Sequence, residues 1–192
     1  MRLRIITFAS IAIAGMGIAF LSTPAQAQVV EKDRHCVADV SAPHTPTTCY
    51  DSFTVAIAKA TDGRVTDAPD DARTATHDAH LTAQLTAMET RENGVAKLRA
   101  PISIMYDDAD FRGSSLIYTG DRDCTNEIGD VIYSVALVRP EWNDRIGSYR
   151  AYRGCWLSLF KDLNWTGDSI PFAGDRTDVG FMDDETSSIL WS

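Results

Sequence analysis

The sequence predicts a mainly β protein: an antiparallel β-sandwich of two Greek-key motifs in the C-terminal half, preceded by a small, partly helical N-terminal region. Three observations predict it. An aromatic, four residues, an aromatic, any residue and a glycine occur in that order twice, from Tyr106 to Gly113 and from Phe160 to Gly167. The match runs on without a gap to Gly120-Asp121-Arg122 and Gly174-Asp175-Arg176. Each copy then reaches a polar loop, residues 143–148 and 183–188, followed by a strand-like run. A duplicated unit too small to close its own core packs against its copy.

Each element has a local reason. Residues 102–106 and 155–160 are dense in apolar and β-branched side chains and read as first strands. The Asp and Asn residues after them mark turns. The two aromatics of each signature then pack on one another across a folded-over hairpin, and the glycine supplies positive φ or room for the ring. Leu116-Ile117-Tyr118 and Ile170-Pro171-Phe172 are the next strands, with Pro171 confining its strand to an edge or an irregular position. Residues 131–138 form a third strand in the first unit. The second unit has only residues 177–181 there, so the third strand of the first is expected to be the longer. Four strands in each of two units make a small sandwich.

These residues resemble the βγ-crystallin family. The aromatic signature is present twice. The family's calcium pattern, two Asn/Asp residues, two of any kind, then Ser/Thr and Ser, is complete at 183–188. It is complete but for Gly147 at 143–148. The resemblance covers roughly residues 102–192. More narrowly, the chain resembles secreted single-domain βγ-crystallin-like proteins of actinobacteria, a group similar in fold to a small proteinase-inhibitor family. The resemblance implies calcium sites in which loops from both units meet at one end of the sandwich. It places Asn143, Asp144, Arg145, Asp183, Asp184, Glu185 and Ser187 at ligand-bearing positions, some through backbone carbonyls. Gly147 has no hydroxyl to offer. Arg145 offers only its carbonyl, and its charge repels an ion. At least one site is therefore expected to be weakened. Calcium takes six to eight oxygens, and extracellular modules bind it at ~10⁻⁴–10⁻³ M.

The chain begins with Arg2 and Arg4, an apolar run from Ile5 to Leu21, and small residues up to Ala27. This is the pattern of a secretory signal peptide cleaved after residue 27, which makes the mature protein soluble, secreted and extracellular. Its removal takes away two arginines and no acid, so the net charge of −9 becomes −11. Such a charge opposes nucleic acid and anionic membranes as partners and suits cations. The chain is expected to be a monomer.

Cys36, Cys49, Cys124 and Cys155 make an even set, which in a secreted chain points to disulfides. Three pairings are open. Cys36–Cys49 with Cys124–Cys155 keeps each bridge within one region. Residues 28–100 are read as an extension or small subdomain, with three readings open: packed on the sandwich, loosely ordered, or a cleaved propeptide, for which no processing signal shows. It has a disulfide-closed hairpin, a helix capped by Asp51 with Phe53, Ala56, Ile57 and Ala60 on one face, and a second helix over about 70–91 carrying Leu81, Leu85 and Met88. The crystallin-like domain spans 101–192.

Catalytic patterns are poor. His35, His44, His77 and His80 all lie N-terminal, with no Ser-His-Asp or Cys-His arrangement. The four tryptophans fit core positions better than a sugar platform. The sequence thus points to a secreted, non-enzymatic protein that binds calcium weakly at paired inter-strand loops. The alternative is an extracellular proteinase (metalloproteinase) inhibitor, with the segment 120–130 around Cys124 as the loop presented to a protease partner.

Overall fold

The computed structural model describes residues 32–42, 46–88, 99–125 and 127–192. Residues 1–27, expected to be a signal peptide, and His44 lie outside them. Among the described residues, nine strands form two sheets. The first contains β1 (His35–Asp39), β2 (Thr48–Tyr50), β3 (Ala100–Asp108), β4 (Arg112–Gly120) and β6 (Ser148–Ala151), in the order β2-β1-β4-β3-β6. The second contains β5 (Tyr133–Val135), β7 (Leu157–Phe160), β8 (Ser169–Ala173) and β9 (Ser188–Trp191), in the order β5-β9-β7-β8. The third strand of the first unit, β5, thus pairs with β9 of the second. The third segment of the second unit returns the exchange through an isolated bridge between Arg176 and Tyr149 of β6. Each unit lends a segment to the other's sheet, so neither closes alone. Pro171 lies in β8, an edge strand, where its missing donor costs no ladder bond. The third strand is short in both units: β5 covers three residues of the run 131–138.

The N-terminal region extends the first sheet, and Lys32–Ser192 form one compact unit. Strand β1 runs antiparallel to β2, with Cys36 opposite Cys49 and the two disulfide-bonded. It runs parallel to β4, with Leu116 opposite Cys36. The sandwich is therefore not purely antiparallel, because the added strand arrives from a distant part of the chain rather than through a hairpin. Three short helices, α1 (Phe53–Ala60), α2 (Ala72–His77) and α3 (Ala79–Thr86), cover the outer face of this sheet. Phe53, Ile57, Leu81, Leu85 and Met88 pack there with Ile104, Tyr106, Phe111 and Ile117. A second core lies between the sheets, built on Leu116, Tyr118, Trp142, Tyr149, Leu159, Ile189 and Trp191. With both faces covered, β3 is buried almost end to end rather than alternating.

Two helix expectations are corrected. Ser52, not Asp51, caps α1: its Oγ accepts from the Val55 amide at 3.3 Å, while Asp51 pairs with Arg34 at 3.4 Å. The single helix expected over 70–91 is broken at Asp78. Its extended backbone (φ −76°, ψ 112°) ends α2, and its Oδ1 accepts from the Leu81 amide at 2.7 Å to start α3. His77 and His80 consequently lie on different helices. The second disulfide joins Cys124 to Cys155 and holds down the long segment before β5.

Candidate functional site

The two signatures form matching corners. Asp110 and Phe111 both have positive φ (58° and 60°), as do Asn164 and Trp165 (55° and 59°). Two consecutive non-glycine residues in that region are strained, and the strain is held by hydrogen bonds repeated in both copies. The Phe111 amide donates to Ser148 Oγ at 3.0 Å, and Ser148 Oγ donates to the Asp108 carbonyl at 2.6 Å. The Trp165 amide donates to Ser188 Oγ at 2.9 Å, and Ser188 Oγ donates to the Asp162 carbonyl at 2.6 Å. The last serine of each polar loop thus pins the corner of its own unit. Each corner also reaches the other unit: the Asp110 amide donates to the Thr177 carbonyl at 2.7 Å, and the Asn164 amide to the Ala136 carbonyl at 2.9 Å. Gly113 and Gly167 share a φ of 76°, and a Cβ on either would strike an acid side chain, Asp107 at 2.1 Å or Asp162 at 2.5 Å. The corners differ in their aromatics. Tyr106 and Phe111 meet edge to face at 5.6 Å. Trp165 is 38 % exposed, and its Nε1 donates to the Ile189 carbonyl at 3.2 Å.

The paired corners, their serine pins and the exchanged third strands decide the architecture. The C-terminal sandwich is βγ-crystallin-like. No family model and no curated protein matches the chain. Solved structures similar to it include a βγ-crystallin domain from Clostridium beijerinckii, 18% identical, with 47% of this chain and 95% of that one covered and a TM-score of 0.37. A βγ-crystallin domain from Flavobacterium johnsoniae is 25% identical over 47% of this chain and 93% of its own, with a TM-score of 0.35. The N-terminal domain of Protein S is 16% identical over 47% and 94%, with a TM-score of 0.36.

In this βγ-crystallin-like sandwich the two polar loops lie side by side. Asp144 and Asp184, at equivalent positions, both turn through positive φ (56° and 55°), which aspartate tolerates better than most residues. The Asp144 amide donates to the Thr186 carbonyl at 3.2 Å, which joins the loops. Their meeting has two ends, and these are chemically different.

At the first end, Ser187 Oγ donates to Asp144 Oδ1 at 3.3 Å, and Asn143 Nδ2 donates to Asp144 Oδ2 at 2.6 Å. Asn143 Oδ1 is buried there without a hydrogen-bond partner. The Ser187 amide donates to the Phe160 carbonyl at 2.9 Å, so Lys161 stands beside this end. Carboxylate, amide and hydroxyl oxygens of this kind are what a hard cation accepts, and an orphaned buried oxygen fits one.

At the other end, Gly147 takes the place of Ser187. A Cβ on Gly147 would lie 2.8 Å from the Asp107 carbonyl oxygen, 2.9 Å from the Asp108 carbonyl carbon and 2.9 Å from Asp183 Oδ1. The space of a loop hydroxyl is already filled by backbone and by the Asp183 side chain. Partial burial pushes the Asp183 carboxyl above its usual range, and Asp184, Asp178 and Asp108 push it further. This end does not fit a clamp that draws a hydroxyl from each loop. A serine at 147 is blocked by space, not by backbone conformation.

Two further residues, which the loop pattern alone does not mark, complete the site. Arg145 Nη2 pairs with Asp107 at 2.9 Å; at the equivalent positions of the other unit, Glu185 pairs with Lys161 at 2.9 Å. The contact is kept while the charges exchange sides. Burial raises the Asp107 carboxyl and Arg145 pulls it back down. Laying one repeat under the other aligns 107 with 161 and 145 with 185, the only sequence signal for these pairs. Arg145 is directed away from the loop junction: it also donates to the Glu141 carbonyl at 2.8 Å and stacks over Trp142 at 5.1 Å. Among the described residues no group of three His, Cys, Asp or Glu side chains converges to hold a metal. A cation at this junction would have to draw on carbonyl, amide and hydroxyl oxygens as well as carboxylates.

Proposed function

We propose that this is a secreted, non-enzymatic protein whose βγ-crystallin-like sandwich binds calcium weakly through the paired loops 143–148 and 183–188. The observation that supports it most is the cluster of Asn143, Asp144 and Ser187, where two loops bring unlike oxygens together and leave one buried oxygen unpartnered. A bound calcium ion would supply divalent charge to loops that also carry Asp183 and Asp184. Asn143, Asp144 and Ser187 would hold it by side chain. Arg145, Asp183, Asp184 and Glu185 occupy the remaining family positions, and Arg145 has only its carbonyl to give. Export is supported by the basic-then-apolar start of the chain and by two disulfides, which persist in oxidising compartments.

Calorimetric titration and thermal melting test this reading. An ion that binds only the native state stabilises it by RT ln(1 + [L]/Kd), about 1.4 kcal/mol at roughly tenfold Kd. The melting temperature should rise in millimolar calcium and return on chelation. Ser187→Ala and Asp144→Ala should each remove most of the rise. A melting curve that ignores calcium, with no binding heat, would leave the loops as turns on a shared fold.

A further inference from the structure

The charge exchange between Asp107–Arg145 and Lys161–Glu185 has a consequence for ion entry. Both pairs tie a polar loop to the corner of its own unit at 2.9 Å. They differ in how firmly they are held. Arg145 has three contacts: the Asp107 carboxylate, the Glu141 carbonyl and the face of Trp142. Its partner's side chain is only 21% exposed. The Lys161 and Glu185 side chains are each 44% exposed, and such a pair is readily opened by water and salt. The firm pair stands at the Gly147 end, where the hydroxyl slot is filled. The loose pair stands at the end formed by Asn143, Asp144 and Ser187.

We propose that the loops take a single divalent cation, at the Ser187 end, and that the Lys161–Glu185 pair is a latch which the ion must work against. The inference rests on the calcium reading above and concerns which end is used and what regulates it. Lys161 follows Phe160, whose carbonyl accepts from the Ser187 amide, and its ammonium holds the Glu185 carboxylate to itself. An arriving cation meets that charge and competes for that carboxylate. Removing the ammonium while keeping Glu185 leaves every oxygen in place and lowers the repulsion. At the other end the space of a loop hydroxyl beside Gly147 is filled by the 107–108 backbone and Asp183, and no second ion enters.

Calcium titration by calorimetry on the full secreted chain tests this with the unaltered protein, Lys161→Met and Arg145→Met. Metal-free melting curves confirm that each variant is folded. The unaltered protein should bind one ion per chain. Lys161→Met should keep that stoichiometry and bind about three- to tenfold more tightly, with the gain shrinking as salt rises from about 0.05 to 0.5 M. Arg145→Met should still bind one ion. Heat in Lys161→Met alone would also support the latch. Two ions in the unaltered protein, or binding that Lys161→Met leaves unchanged or weaker, overturns the latch and spares the calcium reading. No heat in either the unaltered protein or Lys161→Met removes both.

Discussion

Gly147 is packed against Asp107 so closely that a Cβ on it would stand 2.8 Å from the Asp107 carbonyl oxygen. A serine there completes the loop pattern on paper. In the folded chain it must displace backbone at the first corner, and overpacking of this kind costs roughly 1–3 kcal/mol. Gly147→Ser should therefore lower the midpoint of urea denaturation with or without calcium, and should add no second ion in a titration. A stable Gly147→Ser protein binding two ions would show that the corner yields.

The serine pins predict a matched pair of losses. Ser148 and Ser188 are buried, and each accepts from a strained amide and donates to a corner carbonyl. Ser148→Ala and Ser188→Ala each take the hydroxyl partner from one amide and one carbonyl, at up to roughly 1–3 kcal/mol where the group is buried, as the Phe111 amide is. Chemical denaturation should show comparable destabilisation in the two variants, because the geometry is repeated. A large loss in one and none in the other would mean that the corners are not energetically equivalent.

The repeat was legible because each of its residue types answers a backbone demand: a glycine at φ 76°, a serine to pin the corner, a proline on an edge strand. The cysteine pairing was legible from proximity along the chain. What escaped was set by contacts between distant segments. Nothing local in residues 35–39 announces a parallel partner in β4. The long apolar face assigned to one helix continues through Asp78, but that residue caps a new helix instead. In the loops, the missing hydroxyl at 147 could be read, whereas its cause, the close approach of the 107–108 backbone, required the structure. The exchanged ion pairs needed both the repeat alignment and the meeting of loop with corner.

The Cys124–Cys155 bridge closes a long loop, with its ends 31 residues apart. In the chain-entropy model, removing it costs about 3.7 kcal/mol. Its neighbourhood suggests where that loss is felt first. The Cys124 amide donates to the Arg153 carbonyl at 3.1 Å, and the buried Arg153 guanidinium reaches Asp123 and the Gly120 carbonyl. A Cys124→Ser/Cys155→Ser protein should melt lower and lose amide-exchange protection around 120–125 and at 153 before the strands of the sandwich. Uniform loss across both sheets would mean that the bridge supports the whole core.

His35 makes the final prediction, on acid stability. Its Nδ1 lies 2.9 Å from Ser115 Oγ of β4, and its ring packs edge to face on Phe53 of α1 at 5.3 Å, so it sits where the N-terminal region joins the sandwich. Burial lowers its pKa below the ordinary 6.5. Asp33, Asp70 and Asp71 pull the other way without reversing the shift, and Lys32 adds to it. The folded state therefore prefers the neutral ring, while the unfolded chain takes up a proton near the ordinary value. The stability this contributes is full above about pH 6.5, falls as pH drops toward the lowered folded value, and is lost below it. Melting measured from about pH 8 to pH 5 should decline through that window in the unaltered protein, with exchange protection fading first in β1 and α1. His35→Asn removes the titrating ring; its melting temperature should be lower at neutral pH and flatter across the window. An equal decline in both proteins would assign the acid sensitivity to other groups.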